Sequence, residues 1–130
     1  MIALSSDPVN APTLIRKGTK IAARLSSRAY VIYVQTKSED PSHIDSQLQR
    51  KLQQSFDLAV RLGAELKILN SEQISDALVN FALENKVKHA VFGKSRLSPL
   101  RERIRGSILL DFIHDAVGVD VHIINTESGE

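Results

Sequence analysis

Five short runs of strand character, separated by four segments of helical periodicity, constrain the fold of this chain more than any other feature. Residues 1–5 form the first run and end in the turn signal Ser5-Ser6-Asp7-Pro8. Asn10 then reads as a helix N-cap with Pro12 in the first turn, and Leu14, Ile15, Gly18, Ile21, Ala22 and Leu25 recur at helical spacing. The second run, 29–34, is apolar on both faces, as a strand covered by helices on both sides must be. After a polar loop, Leu48, Leu52, Phe56, Ala59 and Val60 predict a long helix that stops at Gly63. Ala64, Leu66 and Ile68 alternate with polar neighbours and predict a third strand nearer a sheet edge. Asn70 or Ser71 is the expected cap of the next helix, whose apolar face is Ile74, Ala77, Leu78, Phe81 and Ala82. Residues 89–92 are the fourth strand, 108–116 the last helix (with Ile108, Leu109, Phe112 and Ile113 inward), and 119–124 the fifth strand.

Strict alternation of strand and helix predicts α/β architecture, a parallel sheet joined by right-handed crossovers. The expected arrangement is an open five-stranded sheet in the order 3-2-1-4-5 with helices on both faces. Its 130 residues make one domain, 1–130, with no repeat, linker or low-complexity tract. The sequence has no apolar run near the roughly 20 residues that span a bilayer, and no signal region opens it. Cysteine is absent, which excludes disulfides, thiol catalysis and thiolate metal sites and fits a reducing compartment.

In the 3-2-1-4-5 order, ligands bind beyond the carboxyl ends of the first and fourth strands, where the connections diverge. The first strand exits through Ser5-Ser6-Asp7, and the fourth through Gly93-Lys94-Ser95-Arg96, followed after nine intervening residues by Gly106-Ser107 at the expected helix start. A small, hydroxyl-rich, basic loop feeding a helix N-terminus suits a phosphate, because backbone N–H groups and the helix dipole both face the anion. Five cations (Lys94, Arg96, Arg101, Arg103, Arg105) against Glu102 leave the 94–105 window at +4 and the rest of the chain at −2. That asymmetry suits an anionic ligand; it also describes an ordinary solvated basic helix. Other chemistries lack their residues. Neither GxxxxGK[ST] nor GxGxxG occurs, Asp7 alone cannot make a phosphoacceptor site, and His43, His89, His114 and His122 lack metal-ligand spacing in the sequence. No nucleophile–base set is visible, so a binding crevice rather than an enzyme is the reading.

The spacing of Gly93, position 96 and Gly106-Ser107 resembles the nucleotide-binding signature of universal stress proteins, with Arg96 in place of that family's second glycine. The stretches Ala3-Leu4-Ser5-Ser6, Leu14-Ile15-Arg16, Ile21-Ala22-Ala23-Arg24-Leu25, Val31-Ile32-Tyr33-Val34-Gln35, Leu62-Gly63-Ala64-Glu65 and Gly93-Lys94-Ser95-Arg96 resemble the stress-protein-like cytoplasmic domain of the KdpD sensor kinases. This resemblance implies a Usp-type, HUP-like Rossmann sandwich, excised from a two-component sensor kinase of the membrane that governs potassium homeostasis. It also implies a non-catalytic cytoplasmic domain that binds cyclic di-AMP or, alternatively, ATP, without metal, nucleic acid or membrane contact. The partner would be the rest of the kinase or a separate one, and a homodimer through the last strand is implied as well.

Carried over by position, the implied ligand-binding residues are Ala3, Ser5, Ser6, Asp7, Asn10, Ala29, Val31, Tyr33, Gly93, Lys94, Ser95, Arg96, Gly106 and Ser107. Ala3, Ser5, Asn10 and Tyr33 match the cyclic di-AMP pattern. Asp7, Ala29 and Val31 stand where that pattern has a serine, an aromatic and an alanine. For ATP, Ser5 replaces the family's ribose-binding Asp. These departures leave room for a protein-interaction scaffold without a ligand.

Overall fold

The computed structural model describes residues 1–4, 10–39, 45–94 and 99–126, with the backbone alone for 39 and 99–105. The elements, in chain order, are β1 (Ile2–Leu4), α1 (Ala11–Arg24), β2 (Tyr30–Gln35), α2 (Ser46–Arg61), β3 (Glu65–Asn70), α3 (Ile74–Glu84), β4 (His89–Lys94), α4 (Pro99–Asp115) and β5 (Asp120–Asn125), with a short 3₁₀ turn at Lys37–Glu39 after β2. All neighbouring strands pair in parallel, in the order β3-β2-β1-β4-β5. This is the α/β sheet that the alternation predicts.

The sheet is buried on both faces at its centre because β1 and β2 carry apolar side chains in both directions. Tyr30, Ile32, Val34 and Phe92 point to one side, where they pack with Leu78, Phe81 and Ala82 of α3 and Phe112 and Ala116 of α4. Val31, Tyr33 and Val91 point to the other, against Leu14 and Ile15 of α1 and Leu52, Phe56 and Ala59 of α2. Aromatic pairs join the layers: Tyr30 meets Phe81 edge-on at 5.2 Å between centroids, and Phe92 meets Phe112 at 5.1 Å. The outer strand β3 is mostly exposed, as expected for an edge: only Leu66 and Leu69 are partly buried, and Ile68 is 43% exposed.

Local chemistry sets the boundaries. Asp45 caps α2 by accepting the Leu48 N–H at 2.8 Å, a cap the sequence reading passed over. Gly63, at φ +87°, terminates α2 in the left-handed conformation that glycine adopts without strain. Three expectations need correction. The third helix starts at Ile74 after Gln73, not after Asn70 or Ser71; Asn70 ends β3, and the Ser71 hydroxyl instead accepts the Gln73 N–H at 2.9 Å within the preceding turn. Gly93-Lys94 continue β4 rather than leaving it. The last helix begins at Pro99, nine residues before the expected Ile108, because proline suits a first helical turn. Ser98-Pro99 was the sequence signal for that start.

Candidate functional site

The two central connections diverge: β1 leads to α1 on one face of the sheet, and β4 leads to α4 on the other. The topological switch point therefore lies beyond the carboxyl ends of β1 and β4, which run side by side with Ala3 paired to Phe92, and this is the place where an open sheet of this order takes a ligand in a crevice. On the described residues its floor is the end of β1 and the Gly93-Lys94 end of β4. Ser5, Ser6, Asp7, Ser95 and Arg96 lie outside the described residues.

Gly93 sits where three elements converge. A Cβ there would come within 2.8 Å of the Thr126 Cγ2 and 3.4 Å of a Leu14 methyl. The absence of a side chain thus has a packing cause, the close approach of α1 and the end of β5, independent of any ligand. Lys94 is exposed, and its carbonyl accepts both the N–H and the hydroxyl of Thr126, at 2.9 and 3.2 Å. Lys17, one turn beyond Leu14, donates from Nζ to the Asn125 carbonyl at 2.8 Å and brings a second cation to the same end of the sheet. Sequence reasoning missed Lys17, since only the fold brings α1 against the end of β5.

Asn10 occupies the N-cap position of α1, and its carbonyl accepts the Leu14 N–H at 3.1 Å; its side chain does not cap the helix. Ala3 is buried in β1 beside this end. Tyr33 is level with Leu4 in the pairing register, yet it is 2% exposed and packs 5.7 Å from the Phe56 ring. It is a core residue here and presents no free face for stacking. Val31 is fully buried in mid-strand, and Ala29 precedes β2 at the opposite end of the sheet. Ala29 lies four residues from Tyr33, on the order of 13 Å along an extended strand, so the crevice does not include it.

Gly106 and Ser107 are the eighth and ninth residues of α4. This corrects the expectation that their amides open a helix: N–H groups that deep in a helix are spent on carbonyls one turn earlier. Ser107 is exposed, and a Cβ on Gly106 would meet no atom of the described residues within 4 Å. An interior helical glycine costs up to about 1 kcal/mol relative to alanine, and no described residue packs against this one to explain it.

Two of the histidines that the sequence scatters meet in space. His89 Nδ1 lies 3.2 Å from His122 Nε2 across β4 and β5, while no group of three or more potential metal ligands occurs among the described residues. His114 Nδ1 lies 2.6 Å from Asp115 Oδ1. That hydrogen bond, and then the Asp115 charge, raises the His114 pKa above its ordinary value. An NMR titration should place the His114 midpoint above that value, and Asp115→Asn should return it. The sign follows: this bond stabilises the fold below the ordinary histidine pKa and is lost as pH rises through the raised one. His43 lies outside the described residues.

No helix among the described residues is long and apolar enough to cross a membrane. No protein-family model matches the chain. It is similar to KdpD sensor proteins: 26% identical over 127 residues to one from Synechocystis sp. and 25% over 124 residues to the sensor protein KdpD of Mycobacterium tuberculosis, covering 95% of this chain in both. The chain spans 32% of the first relative and 14% of the second. Its fold is that of universal stress proteins. A universal stress protein in complex with cAMP aligns at a TM-score of 0.66 with 22% identity, over 97% of this chain and 96% of that one. The Archaeoglobus fulgidus universal stress protein in complex with dAMP aligns at 0.59 with 19% identity, over 95% and 94%.

Proposed function

We propose that this chain is a nucleotide-sensing regulatory domain of a KdpD-type sensor kinase, with cyclic di-AMP as its ligand and ATP as the alternative. The observation that carries the reading is the β1–β4 switch point, with Gly93-Lys94 ending β4 there, in a fold that stress proteins complexed with cAMP and dAMP share. Lys94 and Lys17 supply positive charge at that end of the sheet, and Ser107 faces solvent on α4. Ala3, Ser5, Ser6, Asp7, Asn10, Ser95, Arg96 and Gly106 complete the proposed ligand-binding set. Gly106 supports it, since a glycine kept at a cost in helix stability suits a ligand that passes close to the backbone. The domain itself performs no chemistry in this reading. Occupancy is passed to the kinase on the cytoplasmic side of its membrane, in control of potassium homeostasis.

A homodimer through β5 belongs to the same proposal: β5 is an edge strand, and Ile123 on it is half exposed. The second reading, an interaction scaffold that takes no ligand, draws support from Tyr33, whose ring is already buried against Phe56.

Calorimetric titration with cyclic di-AMP, ATP and ADP distinguishes the readings. A ligand at a hundredfold its Kd stabilises the fold by about 2.7 kcal/mol, so thermal shifts should follow. Arg96→Ala should weaken binding tenfold or more, the scale of one charge-assisted hydrogen bond. Gly106→Ala should stabilise the free domain by about 0.5–1 kcal/mol while weakening the ligand, and Gly106→Val should weaken it further. Absence of binding by all three nucleotides at millimolar concentration would leave the scaffold.

A further inference from the structure

The sheet face covered by α1 and α2 is lopsided in charge. Their sequences contain seven Lys and Arg residues and a single acid, Asp57. Asp57 is engaged on its own helix, where Oδ1 accepts from the Gln53 amide at 3.0 Å. Between the two helices lies a concavity of about 470 Å³, bordered by Arg16, Lys51, Gln54, Ser55 and Arg61, with Pro12 and Leu58 as its apolar walls. The geometry follows from helical periodicity. Positions 51, 54, 55, 58 and 61 fall on one stripe of α2, and positions 12 and 16 lie one turn apart on α1. Neither ion pair formed among the described residues involves Arg16, Lys51 or Arg61, and none of the described residues that line the groove is an acid. Ser55 lies 1% exposed at its floor and adds a hydroxyl to an amide and three cations.

Three cations around one concavity repel each other unless an anion sits between them. The volume falls in the range of small-molecule sites, roughly 300–1,000 Å³. None of its described lining residues carries an aromatic ring on which a base could stack, so those residues offer no selection for a nucleobase. Guanidinium groups and a hydroxyl do suit phosphate oxygens, which accept bidentate hydrogen bonds from arginine. We propose that the α1–α2 groove is an anion site, separate from the β1–β4 crevice, that takes a small, multiply charged phosphate compound. Arg16 and Arg61 grip the phosphates, Lys51 adds charge, and Ser55 and Gln54 orient the ligand.

The test is a ¹⁵N NMR titration of the whole chain with sodium triphosphate at fixed ionic strength. Shifts should concentrate in residues 12–16 and 51–61. Affinity should fall at least tenfold in an Arg16→Ala/Arg61→Ala double variant and stay within twofold in Lys88→Ala, an exposed cation that belongs to neither site. All three replaced side chains are exposed, so folding should survive; Arg61→Glu, checked by circular dichroism, is a second variant. Binding should weaken as salt rises, since exposed charges are screened. Shifts centred on residues 93–94 and 106–107 would overturn the proposal, as would an equal response to sodium chloride at matched ionic strength. Tighter binding of a decaglutamate peptide on the same residues would also overturn it, by making the groove a protein-docking face.

Discussion

Phe112→Ala is expected to lower the unfolding free energy by about 3–5 kcal/mol, the range for removing a fully buried phenylalanine. Phe112 is 0% exposed and lies in the cluster built by Leu78 and Ala82 of α3, Ala90 and Phe92 of β4, and Ala116 of its own helix. Its ring is inclined 60° to that of Phe92, so the loss includes an aromatic pair as well as transferred area. The surrounding strands are hydrogen-bonded in register and cannot collapse into the space, which puts the cost toward the upper end. A domain of this size has about 5–15 kcal/mol in total, so the variant should approach the edge of folding. Urea unfolding monitored by circular dichroism reads the change from the midpoint. The consequence for function is direct, because the same helix carries Gly106 and Ser107. Phe112→Leu fills most of the volume and should cost far less, keeping the helix seated. A loss below 1 kcal/mol for the alanine variant would mean that α4 is not anchored through this ring.

The parts of the fold legible in the sequence are those where local and tertiary preferences agree. The run from Tyr30 to Val34 is a strand in any context that can cover both its faces, and α1 and α2 supply one cover while α3 and α4 supply the other. Gly63 ends α2 by its own backbone freedom. Gly93 and Lys94 misled because glycine and lysine read as a strand exit, whereas hydrogen bonds to the end of β5 hold them in the sheet. The start of α4 was hidden because Gly106-Ser107 resembles a helix opening more than the run of alternating basic residues before it does. Tyr33 illustrates the limit for the site: the sequence places it on a strand, but only the packing of Phe56 shows which end of its ring is covered. The basic face of α1 and α2 was written in the sequence as an acid-free stretch from 11 to 24. It became a groove only once the two helices lay side by side.

Gly93→Ala is expected to destabilise the domain by about 1–3 kcal/mol, the usual cost of overpacking a filled site. The added methyl would lie 2.8 Å from Thr126 Cγ2, well inside van der Waals contact. Leu14 can yield, since its nearest atoms are the mobile ends of a long side chain at 3.4 and 3.6 Å. Thr126 cannot yield as easily. Its N–H and its hydroxyl both bond the Lys94 carbonyl, and turning the side chain to move the methyl would break the second of these. Thr126→Ser removes the methyl and keeps the hydroxyl, so the double variant should recover most of the loss. The resulting coupling should be about 0.5–3 kcal/mol, as for residues in contact. The same pair separates the two reasons for a glycine at the crevice mouth. If Gly93 serves packing alone, Gly93→Ala with Thr126→Ser should bind cyclic di-AMP or ATP as the parent chain does. If a phosphate must approach the Gly93 backbone, the double variant will be stable yet bind at least tenfold more weakly. Urea unfolding and calorimetry on the four proteins of the cycle read the two outcomes independently. Failure of Thr126→Ser to rescue stability would place the strain elsewhere than at the Thr126 methyl.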